Sequence, residues 1–355
     1  MYRISFIRSQ TILLLPYILL KCILLLLMMH SRSCKLTILC TIVLLVAYFC
    51  LFAPSAIPRH TLAAYSQNQN SSFVAEINTL DHIPVRKIKV GDIDIAYKQL
   101  GNNSGKPIVL INGLATTMDM WSPTLLKELS SNRTVIIFDN RGVGQSTAGI
   151  KEFSIDQFAN DTIGLLDALK IWRADILGFS VGSHIAQEIA LKNPNRVNNL
   201  ILYASSCGGK NAVPPRPEVL QAVSAIANTS LTAQQKIDRI TSTLFPSEWF
   251  KANPNYQSYI PTSKEPVSFE RIQMQQQATV SWFSMGTCNT LSKVTQPTLA
   301  IVGTDDMWTP AANSLMIAEK IPGASVIQIK GTGHGLMYQF PDKFSIVSTF
   351  LQIAS

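Results

Sequence analysis

Short apolar runs alternate with segments of helical periodicity from residue 85 to the end of the chain. Uninterrupted apolar runs predict buried strands, at residues 107–113, 135–139, 200–204, 297–302 and 325–329. Apolar positions three and four residues apart predict helices, at 121–129, 155–169, 185–191, 311–320 and 344–351. A hairpin is predicted at 86–90 and 93–98. Strands and helices that alternate in this way predict βαβ crossovers and a parallel sheet covered by helices on both faces.

The alternation stops between residues 208 and 290, where no buried-strand run occurs. Helical patterns at 218–227 and 233–244 are separated by prolines, so this stretch is interpreted as a helical insertion. The sheet is therefore expected to be built from two stretches of chain, residues 85–207 and 291–355.

Two apolar runs near the N-terminus, residues 12–29 and 36–53, are each close to the length that spans a bilayer. They form either a two-helix hairpin or, if the chain starts at Met28 or Met29, a signal-like segment. We expect residues 1–57 to be a membrane anchor or signal region and the polar residues 58–84 to be a flexible stalk. The catalytic domain is then extracytoplasmic, and it is secreted if the N-terminal segment is cleaved.

Composition excludes few classes of protein. The formal charge of +8 is spread without a Lys/Arg block, which gives no sign of a nucleic-acid partner. The positive mean hydropathy of +0.19 comes from the N-terminal fifty-odd residues. No cysteine or histidine spacing fits a metal site, and a Cys207–Cys288 disulfide is possible if the domain is exported.

The sequence Gly178-Phe179-Ser180-Val181-Gly182 stands between a predicted strand and a predicted helix. Two glycines are expected where a turn is so sharp that side chains would collide with the backbone. Such a turn presents Ser180 at its tip, beside helix N–H groups that can stabilise a developing negative charge. Ser180 is therefore the candidate nucleophile.

A nucleophilic serine needs a base, and the base needs an orienting acid. Of the five histidines, His30, His60 and His82 precede the predicted core, and His184 is expected to pack or contact solvent in the helix after Ser180. The remaining one, His334, follows a strand within a glycine-flanked loop. Asp305 and Asp306 both follow the strand at 297–302, and either one could be the acid while the other closes the turn.

The order Ser180, Asp306, His334 with a Gly-x-Ser-x-Gly turn resembles the α/β-hydrolase superfamily. This resemblance covers residues 87–353 and implies a mostly parallel, doubly wound sheet with a helical cap, residues 208–290, inserted after the sixth strand. The turn Gly303-Thr304-Asp305-Asp306 matches the family's Gly-x-x-Asp and favours Asp306. Trp121 and the turn at 138–146 also match, the latter as a structural feature.

The same match implies that Leu114 and Val181 donate the two backbone N–H groups of an oxyanion hole. Asn112 departs from the family, which usually has histidine there and thus different side-chain hydrogen bonding behind the loop. Serine at position 180 disfavours haloalkane dehalogenases and most epoxide hydrolases, which use aspartate. The absence of a His-Gly-Gly-Pro-Gly stretch weakens the resemblance to proline iminopeptidases.

The sequence thus predicts a serine hydrolase that cleaves a carboxylic ester or lactone, without a metal or other cofactor. Its expected partners are a small acyl substrate and the membrane. A membrane tether would favour a lipophilic substrate. Carbon–carbon, amide or peracid chemistry on the same residues stays an alternative, as does a non-enzymatic, membrane-anchored binding protein. Seven side chains of the insertion either line an apolar cleft or form its core: Phe245, Trp249, Phe250, Met274, Trp282, Phe283 and Met285.

Overall fold

The computed structural model describes residues 82–101, 105–265 and 267–354. The predicted anchor at 1–57 and nearly all of the predicted stalk lie outside these residues. Within residues 82–354, the described helices include none that is long and apolar enough to cross a bilayer.

Eight strands form one sheet in the described part of the chain. They are β1 Arg86–Val90, β2 Ile93–Leu100, β3 Ile108–Ile111, β4 Val135–Phe138, β5 Ala174–Phe179, β6 Val197–Tyr203, β7 Thr298–Gly303 and β8 Ser325–Ile329. Their spatial order is β1-β2-β4-β3-β5-β6-β7-β8, and β2 runs antiparallel to both of its neighbours while all later pairs are parallel. This is the predicted mostly parallel sheet.

Ten α-helices accompany these strands. They are α1 Pro123–Ser130, α2 Ile155–Ala168, α3 Val181–Lys192, α4 Pro217–Ser224, α5 Ala233–Leu244, α6 Ser247–Ala252, α7 Phe269–Met285, α8 Ala311–Lys320, α9 Leu336–Gln339 and α10 Ser345–Ile353. The helix predicted from residue 121 begins at Pro123 instead. Ser122 caps it by accepting a hydrogen bond from Leu125 N, and Pro123 occupies the first turn. Helices α6, α7 and α9 were missed from the sequence.

The sheet is buried on both faces, as the continuous apolar strands require. One apolar core lies against α2, α3 and α8, and a second lies against α1, α9 and α10. All residues of β3, β4, β5 and β7 are buried. The carboxyl ends of these parallel strands meet at one edge of the sheet, which is where side chains from distant parts of the chain come together.

Helices α4 to α7 lie between β6 and β7, so the insertion follows the sixth strand as predicted. A disulfide between Cys207 and Cys288 joins its two ends, with Cα atoms 4.9 Å apart. The Cys207 carbonyl also accepts hydrogen bonds from the backbone N–H groups of Thr287 and Cys288. The structure therefore forms the cysteine pair that the sequence left open.

We expect the Cys207→Ala/Cys288→Ala double variant to lower the free energy of unfolding by about 2–4 kcal/mol, because the bridge constrains a long loop in the unfolded chain. The bridged residues are 81 positions apart. Denaturant unfolding with and without a reductant measures this effect. The double variant should show no further loss on reduction, and an unchanged stability in the variant would mean that the bridge does not form.

Candidate active site

Ser180 occupies a strained turn between β5 and α3. Its backbone has φ 54° and ψ −120°, a conformation that residues with a side chain rarely adopt. A Cβ atom at Gly178 would lie 2.2 Å from the Gly182 carbonyl oxygen, and one at Gly182 would lie 2.0 Å from the Ile111 carbonyl oxygen. Both positions therefore need glycine, and the turn holds Ser180 at the carboxyl edge of the sheet.

The structure brings Ser180, His334 and Asp306 into one hydrogen-bonded chain. His334 Nε2 lies 3.0 Å from Ser180 Oγ, and His334 Nδ1 lies 2.8 Å from Asp306 Oδ2. His334 and Asp306 are 3% and 2% exposed, so water has little access to the bond between them. In this arrangement the imidazole can take a proton from the serine while the carboxylate stabilises the charge that results.

Asp306, and not Asp305, faces the imidazole. Its Oδ1 accepts hydrogen bonds from the N–H groups of Trp308 and Thr309, and its Oδ2 accepts one from the Thr309 hydroxyl. These donors fix the carboxylate in the orientation that reaches His334. The Asp305 side chain is exposed instead, and it accepts a hydrogen bond from the neighbouring Thr304 hydroxyl.

Aromatic rings hold the His334 imidazole in place. Trp308 is stacked beside it, with ring centroids 5.6 Å apart, and Phe179 packs against it at 5.0 Å. The hydroxyl of Tyr203, the last residue of β6, donates to the His334 carbonyl oxygen. Trp308 and Thr309 were not predicted as site residues, since their roles depend on how the chain turns after Asp306.

Leu114 and Val181 each present an N–H group that has no hydrogen-bond acceptor among the residues that the structure describes. Val181 is the first residue of α3, whose amino end carries partial positive charge. Gly113 approaches the nucleophile so closely that a Cβ there would lie 3.1 Å from Ser180 Cβ. Both predicted oxyanion donors therefore belong to backbone segments that adjoin Ser180.

Asn112 takes a structural role in the loop before Leu114. Its Nδ2 donates to the Thr117 carbonyl oxygen at 2.6 Å, and its carbonyl oxygen accepts from Asn140 Nδ2 at 3.3 Å. Its Oδ1 atom is buried and has no partner in the described chain. The asparagine thus closes the loop by a direct hydrogen bond to the backbone.

The turn at residues 138–146 is hydrogen-bonded to this loop. Asp139 accepts hydrogen bonds from the N–H groups of Met118 and Gln145, and burial raises its pKa to about 6. Arg141 is buried between the carboxylates of Asp92 and Asp161 and binds both. These contacts join the turn to the hairpin and to α2, which is a structural role.

His184 packs in the interior instead of contacting solvent. It is 2% exposed, its ring stacks on Trp282 of α7 at 4.3 Å, and neither ring nitrogen has a hydrogen-bond partner in the described chain. Trp282 also donates to Glu188 on α3. Burial, assisted by the neighbouring His334, lowers the pKa of His184 to about 3.

We expect His184 to make the fold less stable in acid. A histidine in the unfolded chain has a pKa of about 6.5. Below that pH the unfolded chain therefore binds a proton at this position, whereas His184 in the folded protein stays neutral. The free energy of unfolding should therefore fall between pH 6.5 and pH 4 by about 2–3 kcal/mol from this residue alone. Denaturant unfolding of the parent protein and of His184→Phe at both pH values isolates the effect, because all other titrating groups contribute equally to the pH dependence of the two proteins. An identical pH dependence in the two proteins would contradict it.

The insertion contacts the loops that carry the site. The Trp308 indole donates to the Thr243 hydroxyl at 3.0 Å, and Gly335 N donates to the Leu244 carbonyl oxygen at 2.9 Å. On the opposite side, Ala115 N donates to Gln275 Oε1 at 2.8 Å. Gln275 was not anticipated, because a glutamine within a glutamine-rich helix carries no sequence signal of its partner.

The aromatic residues of the insertion form two groups, since Trp282 and Phe283 pack against His184 of the core while Phe245, Trp249 and Phe250 pack with one another. Phe245 and Trp249 are buried and stacked at 4.5 Å, and Phe250 packs edge-on against both. Met285 is 79% exposed and is therefore not part of a packed interior. Of the two interpretations offered by the sequence, the packed interior describes Phe245 and Trp249.

A cavity of about 370 Å³ lies between the core and the insertion. Met118 and the Lys98–Asp119 ion pair line it from the core, and Ile260 and Pro261 line it from the insertion. Neither Ser180 nor His334 lines this cavity, so it is not the space in which a bond attacked by Ser180 would lie.

Comparison with known proteins shows the family to which this fold and site belong. Residues 106–341, more than half of the chain, match the model of the α/β-hydrolase fold family, and the chain belongs to that family.

Three similar proteins are hydrolases by name, one of them provisionally. The chain is 23% identical over 277 residues to rhodomycin D methylesterase of Streptomyces peucetius, covering 72% of this chain and 93% of that protein. It is 27% identical over 264 residues to a protein of Azorhizobium caulinodans provisionally named carbamate hydrolase, again covering 72% and 93%. The enol-lactonase of Burkholderia xenovorans LB400 is similar in fold, with a TM-score of 0.64 and 23% identity over 75% of this chain and all of that one.

Proposed function

We propose that the protein is a serine hydrolase that cleaves a carboxylic ester or lactone. The observation that carries this proposal is the hydrogen-bonded chain from Ser180 through His334 to Asp306. Beside it lie two N–H groups that have no acceptor in the described part of the chain. A histidine that joins a serine hydroxyl to a buried carboxylate is the arrangement that activates serine for attack on a carbonyl.

In the proposed reaction, Ser180 Oγ attacks the carbonyl carbon as His334 Nε2 takes its proton. The carbonyl oxygen becomes an oxyanion, which accepts hydrogen bonds from the N–H groups of Leu114 and Val181. The C–O bond to the alcohol then breaks, and His334 returns the proton to the departing oxygen. Water, deprotonated by His334, then attacks the acyl carbon of the acyl-enzyme. The bond from that carbon to Ser180 Oγ breaks, and His334 returns the proton to Ser180 as the acid leaves. Asp306 holds the imidazole and balances its charge throughout.

Amide or carbamate hydrolysis is the second candidate, favoured by the provisional name of one relative. It uses the same residues and differs in the leaving group, which is a nitrogen that must be protonated. Carbon–carbon cleavage and peracid formation stay possible uses of the same three residues, the latter requiring hydrogen peroxide in place of water. A non-enzymatic binding protein is free to lose a member of the catalytic set, whereas all three positions are filled here.

A matched substrate panel tests the proposal. One acyl group is offered to the full-length protein as its ester, lactone, amide and carbamate, and kcat/KM is measured for each. We expect the esters or lactones to be preferred, and the preference to vary with acyl-chain length. A preference for the amide or carbamate would favour the second candidate, and no turnover of any member would favour a binding protein.

We also propose that residues 208–290 form a cap over the site and that residues 1–57 tether an extracytoplasmic enzyme to a membrane. The cap is supported by its contacts with the loops of His334 and Leu114. Export is supported by the Cys207–Cys288 bridge, since structural disulfides persist mainly in oxidising compartments. Protease treatment of intact cells tests the topology: the catalytic domain should be digested, and a protected domain would place it inside.

A further inference from the structure

The loop that carries Leu114 is held by the insertion as well as by the core. Gln275 of α7 is 2% exposed, and its Oε1 accepts a hydrogen bond of 2.8 Å from Ala115 N. Two residues further along the loop, the Thr117 hydroxyl donates to Ser263 Oγ at 3.1 Å. Both contacts cross from the insertion to the segment that supplies one proposed oxyanion donor.

Ala115 has an unusual backbone that needs such support. Its φ of 55° lies in the left-handed region, which costs about 1–2 kcal/mol for a residue that is not glycine. Ala115 directly follows Leu114, so the orientation of its peptide plane affects the direction of the Leu114 N–H. A buried acceptor that fixes the Ala115 N–H therefore also limits how far the Leu114 N–H can turn away from Ser180.

The hydrogen bond between Ala115 and Gln275 also determines which N–H group of the loop is available to an oxyanion. Because Gln275 occupies the Ala115 N–H, that group is not available to an oxyanion, while the Leu114 N–H has no acceptor among the described residues. The amide of Gln275 must point its oxygen toward Ala115, since its NH2 group would place two donors face to face.

We propose that Gln275 is a positioning residue that orients the oxyanion hole through Ala115, so that the insertion completes the site it covers. This inference rests on the proposed function of Ser180. It implies that the oxyanion hole is fully formed only when α7 is docked on the core. The docking is reinforced at the other end of the helix, where Trp282 stacks on His184 and donates to Glu188.

A fluorophosphonate probe tests this without knowledge of the substrate, because its phosphonyl oxygen needs the same donors when Ser180 attacks phosphorus. The measured quantities are the maximal labelling rate, kinact, and the half-saturating concentration, KI. We expect Gln275→Met, which keeps the length but removes the acceptor, to lower kinact about tenfold or more while KI changes less than about twofold. Gln275→Ala should lower kinact to a similar extent, and it provides the test if the Met variant does not fold.

Gln273→Met is the matched control, because Gln273 lies two residues earlier in α7 and is exposed. Its kinact should equal that of the parent protein. An unchanged kinact in a folded Gln275 variant would overturn the inference, and so would a loss seen only in KI. A parent protein that does not react at Ser180 would instead refute the proposed function, which separates the two failures.

Discussion

Ser180→Ala is expected to lower kcat/KM by about 10⁴-fold or more while the protein stays folded. The hydroxyl is the only group at this position that can form the acyl-enzyme, and its oxygen lies 3.0 Å from His334 Nε2. Alanine keeps the Cβ atom in the strained turn, so we expect the free energy of unfolding to change by less than about 1 kcal/mol. Steady-state kinetics on the best substrate of the panel, with denaturant unfolding, measure both quantities.

His334→Ala should cause a loss of similar size, and the double variant should be no worse than either single one, since the two residues act as a unit. Ser284→Ala, an exposed serine of α7, controls for the loss of a hydroxyl and should leave kinetics unchanged. Turnover that survives in a folded Ser180→Ala protein would rule out the acyl-enzyme route.

Asp306→Asn is expected to give the second large effect, a fall in kcat/KM of about 10³–10⁴-fold. The amide can still accept hydrogen bonds from the N–H groups of Trp308 and Thr309. Toward His334 Nδ1, however, it offers either a neutral oxygen or an N–H donor. In the second case the ring takes the tautomer that has its hydrogen on Nε2, which cannot accept the proton of Ser180.

Asp305→Asn is the matched control, because it makes the same change one residue away in an exposed side chain. We expect its kcat/KM to stay within about threefold of the parent value, as for most surface substitutions. If Asp305→Asn were the more damaging variant, the orienting acid would have been assigned to the wrong residue. Equal losses would show that the turn, and not the Asp306 carboxylate, is what matters.

The sequence was informative where chemistry depends on local geometry. The two glycines around Ser180 predict a sharp turn, and the structure shows that a Cβ atom at either one would collide with backbone. The alternation of apolar runs likewise predicted the parallel sheet, since strands buried on both faces need continuous apolar residues.

The rest depends on contacts between distant residues, which periodicity does not encode. Position after the strand leaves Asp305 and Asp306 equivalent, and only the family's Gly-x-x-Asp turn favoured Asp306. The hydrogen bonds from Trp308 and Thr309 that orient Asp306 are seen only in three dimensions. Helix α7 was missed because its apolar residues are not confined to one face and its glutamines resemble a solvated surface. The contact between Gln275 and Ala115 joins residues 160 positions apart, so only the fold reveals it.

The most direct test of the central claim is covalent labelling of the full-length protein, in detergent, with a fluorophosphonate, followed by mass-spectrometric mapping of the modified residue. We predict one label per chain, located on Ser180 and lost in His334→Ala, because the probe reacts with a serine that a neighbouring base has activated. Absence of labelling in a folded protein, or labelling that persists at the same rate in His334→Ala, would contradict an activated Ser180.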